Sequence, residues 1–236
     1  MTQSSLLAGL ALDAFMPALS PAVALAFLGT GFLLAGAAVG AGVAAVARRA
    51  RLARGLAAFG LAVAVVYATL LAAAAVVSRD RTLAPGERKY FCEMDCHLAY
   101  EVTGAEAAGP GLRAVTVRTW FDPSTIAPFR GDGPYAPSPR SVFLVDRAGR
   151  RYSASSPATE AWRAAHGGST PFARELRPGE SYSTTFVFEA PADAGALRLF
   201  IGDADGGVER LLIGHENSPW HGKVYFALPE ARKVSG

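Results

Sequence analysis

Two long uncharged segments constrain this chain more than any other feature. Residues 22–47 and 55–78 contain no charged side chain and consist mostly of alanine, valine, leucine and glycine. At 1.5 Å of rise per residue, each segment is long enough to cross a bilayer core of about 30 Å as a helix. The first apolar run is too long, and lacks the preceding basic residues, for a cleaved signal peptide. We therefore predict a transmembrane helical hairpin over 22–78, after a tail over 1–21.

Basic residues flank the second apolar segment on both sides. Four arginines precede it, namely Arg48, Arg49, Arg51 and Arg54, and four basic residues follow it, namely Arg79, Arg81, Arg88 and Lys89. A simple count of positive charges therefore does not orient the hairpin. Short loops obey the positive-inside rule, whereas long domains are translocated largely regardless of charge. We expect the arginine loop to be cytoplasmic and residues 79–236 to be extracytoplasmic, with the lipid bilayer as a partner.

The remainder of the chain is electrically balanced. The sequence has 23 basic and 20 acidic residues, and four of the basic and one of the acidic residues precede residue 79. Residues 79–236 thus carry 19 residues of each sign, without a block of basic residues. A neutral surface of this kind argues against nucleic acid as a partner.

Short strand patterns separated by turn residues recur after residue 90. Alternating or apolar runs occur at 115–121, 141–145, 182–188, 197–201, 208–213 and 223–228. Such spacing predicts an all-β immunoglobulin-like sandwich over 90–229, joined to the membrane by a polar stalk over 79–89 and followed by a tail over 230–236. The sequence Asp203-Ala-Asp-Gly-Gly207 predicts a hairpin turn between two strands, and residues 157–167 predict one short helix.

Both cysteines lie at the start of the predicted β domain. Cys92 and Cys96 would be about 13 Å apart along one continuous strand, at ~3.3 Å per residue. A disulfide requires a Cα separation of roughly 4.4–6.8 Å. Glu93 and Asp95 favour a turn because acidic residues are poor strand formers. We therefore predict a tight turn from Cys92 to Cys96, with a strand that starts near Cys96.

The predicted turn leaves two interpretations open. The sulfurs of Cys92 and Cys96 could form a disulfide, which would stabilise the turn locally. Alternatively, thiolates and imidazoles are suitable ligands for copper or zinc. The candidate metal ligands are Cys92, Cys96, His97, His215 and His221. The metal hypothesis requires the last two histidines to lie beside the turn.

Four sequence motifs carry a resemblance to a known family. They are Phe143-Leu-Val-Asp-x-x-Gly-x-x-Tyr152, Leu176-x-Pro-Gly-Glu-Ser181, Val187-Phe-x-x-Pro191 and Leu197-x-Leu199. In these motifs the chain resembles the telokin-like, immunoglobulin-fold extracellular domains of bacterial envelope proteins. The resemblance covers roughly residues 110–201. The chain differs from the family pattern in three features. A helical hairpin replaces the lipid anchor, and neither the predicted cysteine turn nor the segment Gly214-His-Glu-Asn-Ser-Pro-Trp-His221 belongs to the pattern.

The resemblance implies a binding or envelope module without known catalysis, and it supplies no catalytic residue and no cofactor. No nucleophile elbow or phosphate-binding loop is evident in the sequence either. We therefore expect a non-enzymatic, integral protein of the bacterial inner (cytoplasmic) membrane with an envelope protein as partner. The alternative is a copper- or zinc-binding redox domain that uses Cys92, Cys96 and nearby histidines.

Overall fold

A computed structural model describes residues 21–91, 98–126, 130–191, 194–204 and 207–229. The chain divides into two compact units. The first, here called the helical unit, contains residues up to Arg79 together with a later segment that ends at Gly222. The second, here called the β unit, contains the remaining residues from Asp80 onward.

Two long helices form most of the helical unit. Helix α1 spans Pro21–Val46 and helix α2 spans Ala50–Val77, and both are long and apolar enough to cross a membrane. The two predicted apolar helices are therefore confirmed as helices. However, Arg51 and Arg54 lie inside α2 rather than in the loop, because arginine is a good helix former and does not end a helix.

Small residues allow α1 and α2 to approach each other closely. A Cβ atom added at Gly60 would lie 3.3 Å from the Cβ atom of Ala37, and one added at Gly40 would lie 3.1 Å from Cδ1 of Leu56. Glycine at these positions lets two apolar helices pack backbone to backbone. The outward sides of the helices remain apolar and exposed.

Nine strands, one α-helix and a 3-10 helix over Pro123–Thr125 make up the regular structure described in the β unit. The strands are β1 (Arg81–Leu83), β2 (Lys89–Phe91), β3 (Leu98–Gly109), β4 (Leu112–Phe121), β5 (Arg140–Val145), β6 (Arg151–Ser153), β7 (Ser181–Glu189), β8 (Arg198–Asp203) and β9 (Val224–Ala227). Helix α3 spans Ser156–His166, in agreement with the predicted short helix. One sheet has the strand order β1-β9-β8-β5-β6, and the other has the order β2-β3-β4-β7. Strands β1 and β9 pair in parallel, and the other described pairings are antiparallel.

Residues that alternate along the strands separate a buried face from an outer face. In β4, Val115, Val117 and Phe121 are fully buried, whereas Arg118 and Trp120 between them are partly exposed. In β7, Phe188 is fully buried and Phe186 is partly exposed against Phe172. Successive side chains of a strand point to opposite faces of the sheet, so alternating apolar residues in the sequence predict which side chains are buried.

The free edge of β7 is covered by backbone and side-chain groups from other segments. Val187 accepts a hydrogen bond from the backbone N–H of Ser155 at 2.8 Å, and its own N–H donates to Oγ1 of Thr159 at 2.9 Å. Further along, the N–H of Thr185 donates to Oγ of Ser169 at 3.0 Å. Covering an edge in this way removes a template for pairing with another chain.

The structure differs from the sequence prediction in two places. The segment predicted as a polar stalk, 79–89, contains strand β1 and the first residue of β2. Residues 208–213, predicted as a strand, instead include a 3-10 helix over Val208–Leu211 and belong to the helical unit. Strand β8 therefore pairs with β9 and β5, and the predicted hairpin partner is wrong. The run Leu211-Leu212-Ile213 lacks the alternation of a strand with one solvated face, and the carbonyl oxygen of Leu211 accepts a hydrogen bond from Tyr67 of α2.

Candidate functional site

The cysteine segment lies outside the described residues. It contains Cys92, Cys96 and His97, so the predicted turn, disulfide and metal ligation by these residues stay predictions. The strands on either side are described: Phe91 at the end of β2 lies opposite Leu98 at the start of β3. Strands β2 and β3 pair in the antiparallel direction.

His215 and His221 both belong to the segment 207–222 of the helical unit. His215 is buried, and its Nδ1 accepts a hydrogen bond from the N–H of Asn217 at 3.1 Å. Nδ1 of His221 lies 2.8 Å from the carbonyl oxygen of Gly222, to which it can donate. Across the described ranges, no group of three or more histidine, cysteine or acidic side chains is placed to hold a metal ion. The histidines thus have local partners, and convergence with the cysteines stays a prediction.

A buried lysine sits immediately before the cysteine segment. Lys89 is only 1% exposed, and its Nζ donates to the carbonyl oxygen of Ile201 at 2.5 Å. The same ammonium lies 4.9 Å from the ring centroids of Phe91 and Phe200. Carbonyl oxygens and aromatic faces replace part of the water that a charged group loses on burial. Lys89 therefore links β2 to β8, strands of opposite sheets.

A second cation reinforces this link. The side chain of Arg140 is 1% exposed and forms an ion pair with Asp203. Its guanidinium carbon lies 4.2 Å from the centroid of the Phe91 ring. Lys89 and Arg140 thus place two buried cations on the ring of Phe91, next to the cysteine segment. Buried charges persist only with close partners, so substitutions here should be costly.

The outer face of the four-stranded sheet carries a network of charged and aromatic side chains. Nε of Arg88 lies 3.1 Å from Oε2 of Glu101, and a guanidinium nitrogen of Arg118 lies 3.5 Å from Oε1 of the same carboxylate. The guanidinium of Arg88 also stacks 4.1 Å above the ring of Trp120. The hydrogen bond with Glu101 raises the pKa of Arg88. We call Arg88, Glu101, Arg118 and Trp120 the outer-face network.

A hydrogen-bonded tyrosine and aspartate border this network. The Tyr90 hydroxyl donates to Oδ2 of Asp122 at 2.8 Å, while Oδ1 accepts from the N–H and hydroxyl of Ser124 at 2.9 and 2.7 Å. Burial alone would raise the pKa of Asp122, but these hydrogen bonds and the charge of Arg88 lower it overall. Burial and the bond to Asp122 raise the pKa of Tyr90. Asp122 therefore stays ionised at neutral pH and fixes the turn after β4.

Sequence reasoning missed the buried cations because it counted Lys89 only as a basic residue flanking the membrane segment. One signal could have identified its position. Lys89 and Phe91 are two residues apart and so share one face of a strand. The burial of Arg140 had no comparable signal, since it depends on Asp203 from a strand distant in sequence.

No protein-family model matches this chain, and no curated protein matches it. Solved structures do show similarity. A conserved hypothetical protein from Bacillus anthracis is 19% identical over 48% of this chain and 89% of its own, with a TM-score of 0.34. The secreted protein MPT63 from Mycobacterium tuberculosis is 12% identical over 63% of this chain and 97% of its own, with a TM-score of 0.38. The yjhA protein from Bacillus subtilis is 12% identical over 62% of this chain and 98% of its own, with a TM-score of 0.37.

Proposed function

We propose that this protein is a membrane-anchored module whose β unit lies outside the cytoplasm. The exposed apolar surface of α1 and α2 carries the proposal. Large apolar side chains project outward along both helices, with Phe32 77% exposed and Val76 83% exposed. Contiguous apolar surface of this extent is unfavourable in water, and two adjacent helices of this length fit a bilayer.

The arginines support the orientation. Arg48 and Arg49 lie between the helices, and Arg51 and Arg54 lie in the first turns of α2. Arginine side chains at a helix end can extend toward the lipid headgroups while their stems remain in apolar surroundings. A cytoplasmic location for this short connection satisfies the positive-inside rule and places the β unit on the opposite side.

Within the β unit, we propose an immunoglobulin-like sandwich that binds a protein of the cell envelope without catalysis. The neighbouring order of β5, β8 and β9 in one sheet, and of β4 and β7 in the other, supports this arrangement. The outer-face network offers both charge signs and a partly exposed tryptophan, a combination suited to protein recognition. The telokin-like resemblance favours a bacterial envelope protein, and the two apolar helices favour the inner (cytoplasmic) membrane as its location.

Reporter fusions to the full chain test the orientation. Alkaline phosphatase, which is active only outside the cytoplasm, should be active when fused after residue 236 and inactive when inserted at Arg49. A fluorescent protein that matures in the cytoplasm should give the reverse pattern at both positions. High phosphatase activity at Arg49 with none after residue 236 would refute the proposed orientation.

A separate comparison tests binding through the outer-face network. A photo-crosslinking residue at Arg118 in the full chain should give a discrete adduct in intact bacterial cells. Arg147 is a matched control, because it is an exposed arginine of the turn between β5 and β6. Equal adducts from both positions, or none from Arg118, would contradict the proposed binding face.

A further inference from the structure

Exposed apolar side chains outside the two long helices cluster in one short segment. Among the described residues, the large apolar side chains exposed beyond α1 and α2 are Val208 (63%), Leu211 (51%) and Trp220 (87%). All three lie in 207–222, here called the juxtahelical segment. Single exposed apolar residues are normal on a protein surface, but a cluster of this kind marks an interaction site.

The juxtahelical segment is hydrogen-bonded to α2 and to Ser78, the residue that follows the helix. The Tyr67 hydroxyl donates to the carbonyl oxygen of Leu211 at 2.6 Å, and the N–H of Gly222 donates to Oγ of Ser78 at 2.7 Å. Tyr67 and Ser78 are eleven residues apart, which corresponds to about 16 Å along the helix axis. The segment therefore runs beside the last third of the helix.

Several polar residues in the second half of the juxtahelical segment are buried. His215, Glu216 and Ser218 are all buried, and the Ser218 hydroxyl donates to the carbonyl oxygen of Leu212 at 2.5 Å. The N–H of Ser218 also donates to the carbonyl oxygen of His215 at 2.9 Å. The hydroxyl and the amide of Ser218 thus have partners within the segment, as a polar group beside an apolar environment requires.

Trp220 occupies an unfavourable backbone conformation. Its φ is 61°, in the left-handed region that side-chain-bearing residues rarely adopt. For an ordinary residue this conformation is strained, because the Cβ atom lies too close to the following carbonyl oxygen. Burial of the indole against the rest of the described chain does not offset this cost, because the side chain is 87% exposed. An external apolar environment at this position would offset it.

We propose that the juxtahelical segment lies in the outer interface of the membrane that α2 crosses, with Val208, Leu211 and Trp220 among the lipids. This inference rests on the membrane crossing proposed above. It goes further, because it assigns a second, non-helical membrane contact to residues late in the sequence. The occupant of the exposed apolar cluster is lipid from the same bilayer.

The length of α2 fixes the depth of this contact. Its 28 residues correspond to about 42 Å, close to the ~40–45 Å thickness of a bilayer with its headgroup regions. Tyr67 precedes the last helical residue, Val77, by about 15 Å. Because each headgroup region is about 5–8 Å thick, Leu211 reaches the upper acyl chains. Gly222 bonds beyond the end of the helix, so nearby Trp220 lies at headgroup level, where tryptophan is enriched.

Depth-dependent quenching of tryptophan fluorescence tests the inference on the full chain. The chain is reconstituted in phosphatidylcholine vesicles with or without bromine atoms on the acyl chains near the headgroup. The chain has three tryptophans. The signal of Trp220 is isolated in a variant that carries Trp120→Phe and Trp162→Phe. A variant with Trp120→Phe and Trp220→Phe is the matched control, since Trp162 then reports the quenching that the β unit experiences.

We expect brominated lipid to quench Trp220 by at least half, while aqueous iodide has little effect and Trp162 shows the opposite pattern. Iodide quenching of Trp220 without bromine quenching would overturn the inference. A blue-shifted Trp220 emission that changes with the chain-to-lipid ratio, without bromine quenching, would assign the cluster to a second copy of the chain and would also overturn it. If the double variants fold poorly, the difference in quenching between the unmodified chain and Trp220→Phe supplies the same comparison.

Alkaline carbonate extraction separates failure of the inference from failure of the membrane anchor. A chain that stays in the membrane pellet but has a water-exposed Trp220 would refute only the lipid contact of the juxtahelical segment. A chain that carbonate releases into the supernatant would refute the membrane crossing, and the inference with it.

Discussion

Truncation of Phe188 tests the packing of the β unit most directly. Phe188 lies in β7 with 0% of its surface exposed, whereas Phe186, two residues earlier, is partly exposed. Both rings are on the same face of the strand, and their centroids are 6.3 Å apart. A comparison of the two alanine variants therefore separates full burial from partial burial within one element.

The expected magnitudes follow from the exposed fractions. Removing a fully buried phenylalanine ring costs about 3–5 kcal/mol, because the lost transfer free energy is added to the cost of a cavity. Phe188→Ala should reduce the free energy of unfolding by this amount. Phe186→Ala should cost about 1–2 kcal/mol, because water already reaches part of the ring and can fill the space that remains. Its lost contact with the Phe172 ring, at 5.0 Å, contributes to that cost.

Urea unfolding of the full chain in detergent micelles, followed by tryptophan fluorescence, measures both variants. Trp120 in β4 is a suitable reporter, because β4 pairs with β7 along its length. Proteolysis under native conditions provides an independent measure of the same free energy. A loss below about 1 kcal/mol for Phe188→Ala, or equal losses for the two variants, would refute the assignment of Phe188 to the interior.

Four further predictions have measurable outcomes. Burial raises the pKa of Asp146, but hydrogen bonds from Arg150 and Tyr152 outweigh it and lower the pKa to about 2. The ionised Asp146 carboxylate should therefore contribute its full stabilisation above about pH 4, and this contribution should decline as the pH falls toward 2. Asp146→Asn should remove that part of the acid dependence in a pH titration of stability, and an unchanged profile would contradict the reasoning. Gly222→Ala would place a Cβ atom 2.3 Å from the carbonyl carbon of Arg79, so backbone amides of 207–222 should exchange their hydrogens faster. Gly133→Ala is the control and should have no effect, because a Cβ atom there would lie in open space. Thr159→Val should cost about 1–3 kcal/mol and expose the Val187 amide to faster exchange, because it removes the acceptor of a buried N–H. Metal analysis of the purified full chain should show no stoichiometric copper or zinc if the binding-module proposal holds; a bound ion that is lost in Cys96→Ala would favour the metal hypothesis instead.

The amino-acid sequence determines the local elements of this protein. Uncharged runs longer than a bilayer core specify α1 and α2, because each residue there favours the same apolar environment. Alternation with a period of two specifies strands such as β4 and β7, and Asp146 with Gly149 specifies the turn between β5 and β6. In that turn the Asp146 side chain accepts hydrogen bonds from two backbone N–H groups at 2.9 Å, and Gly149 adopts a φ of 80°. All these features depend on neighbours within a few residues.

The tertiary structure decides the positions that depend on partners distant in sequence. Lys89 can be buried because partners distant in sequence, such as the carbonyl oxygen of Ile201, 112 residues away, accept hydrogen bonds from its ammonium group. Residues 208–213 are predicted as a strand, yet Val208–Leu211 form a 3-10 helix, and the carbonyl oxygen of Leu211 accepts a hydrogen bond from Tyr67 of α2. Local sequence patterns record which side chains avoid water. The residue that shields each of these side chains from water is usually distant in sequence. A stretch of a few residues therefore does not predict it.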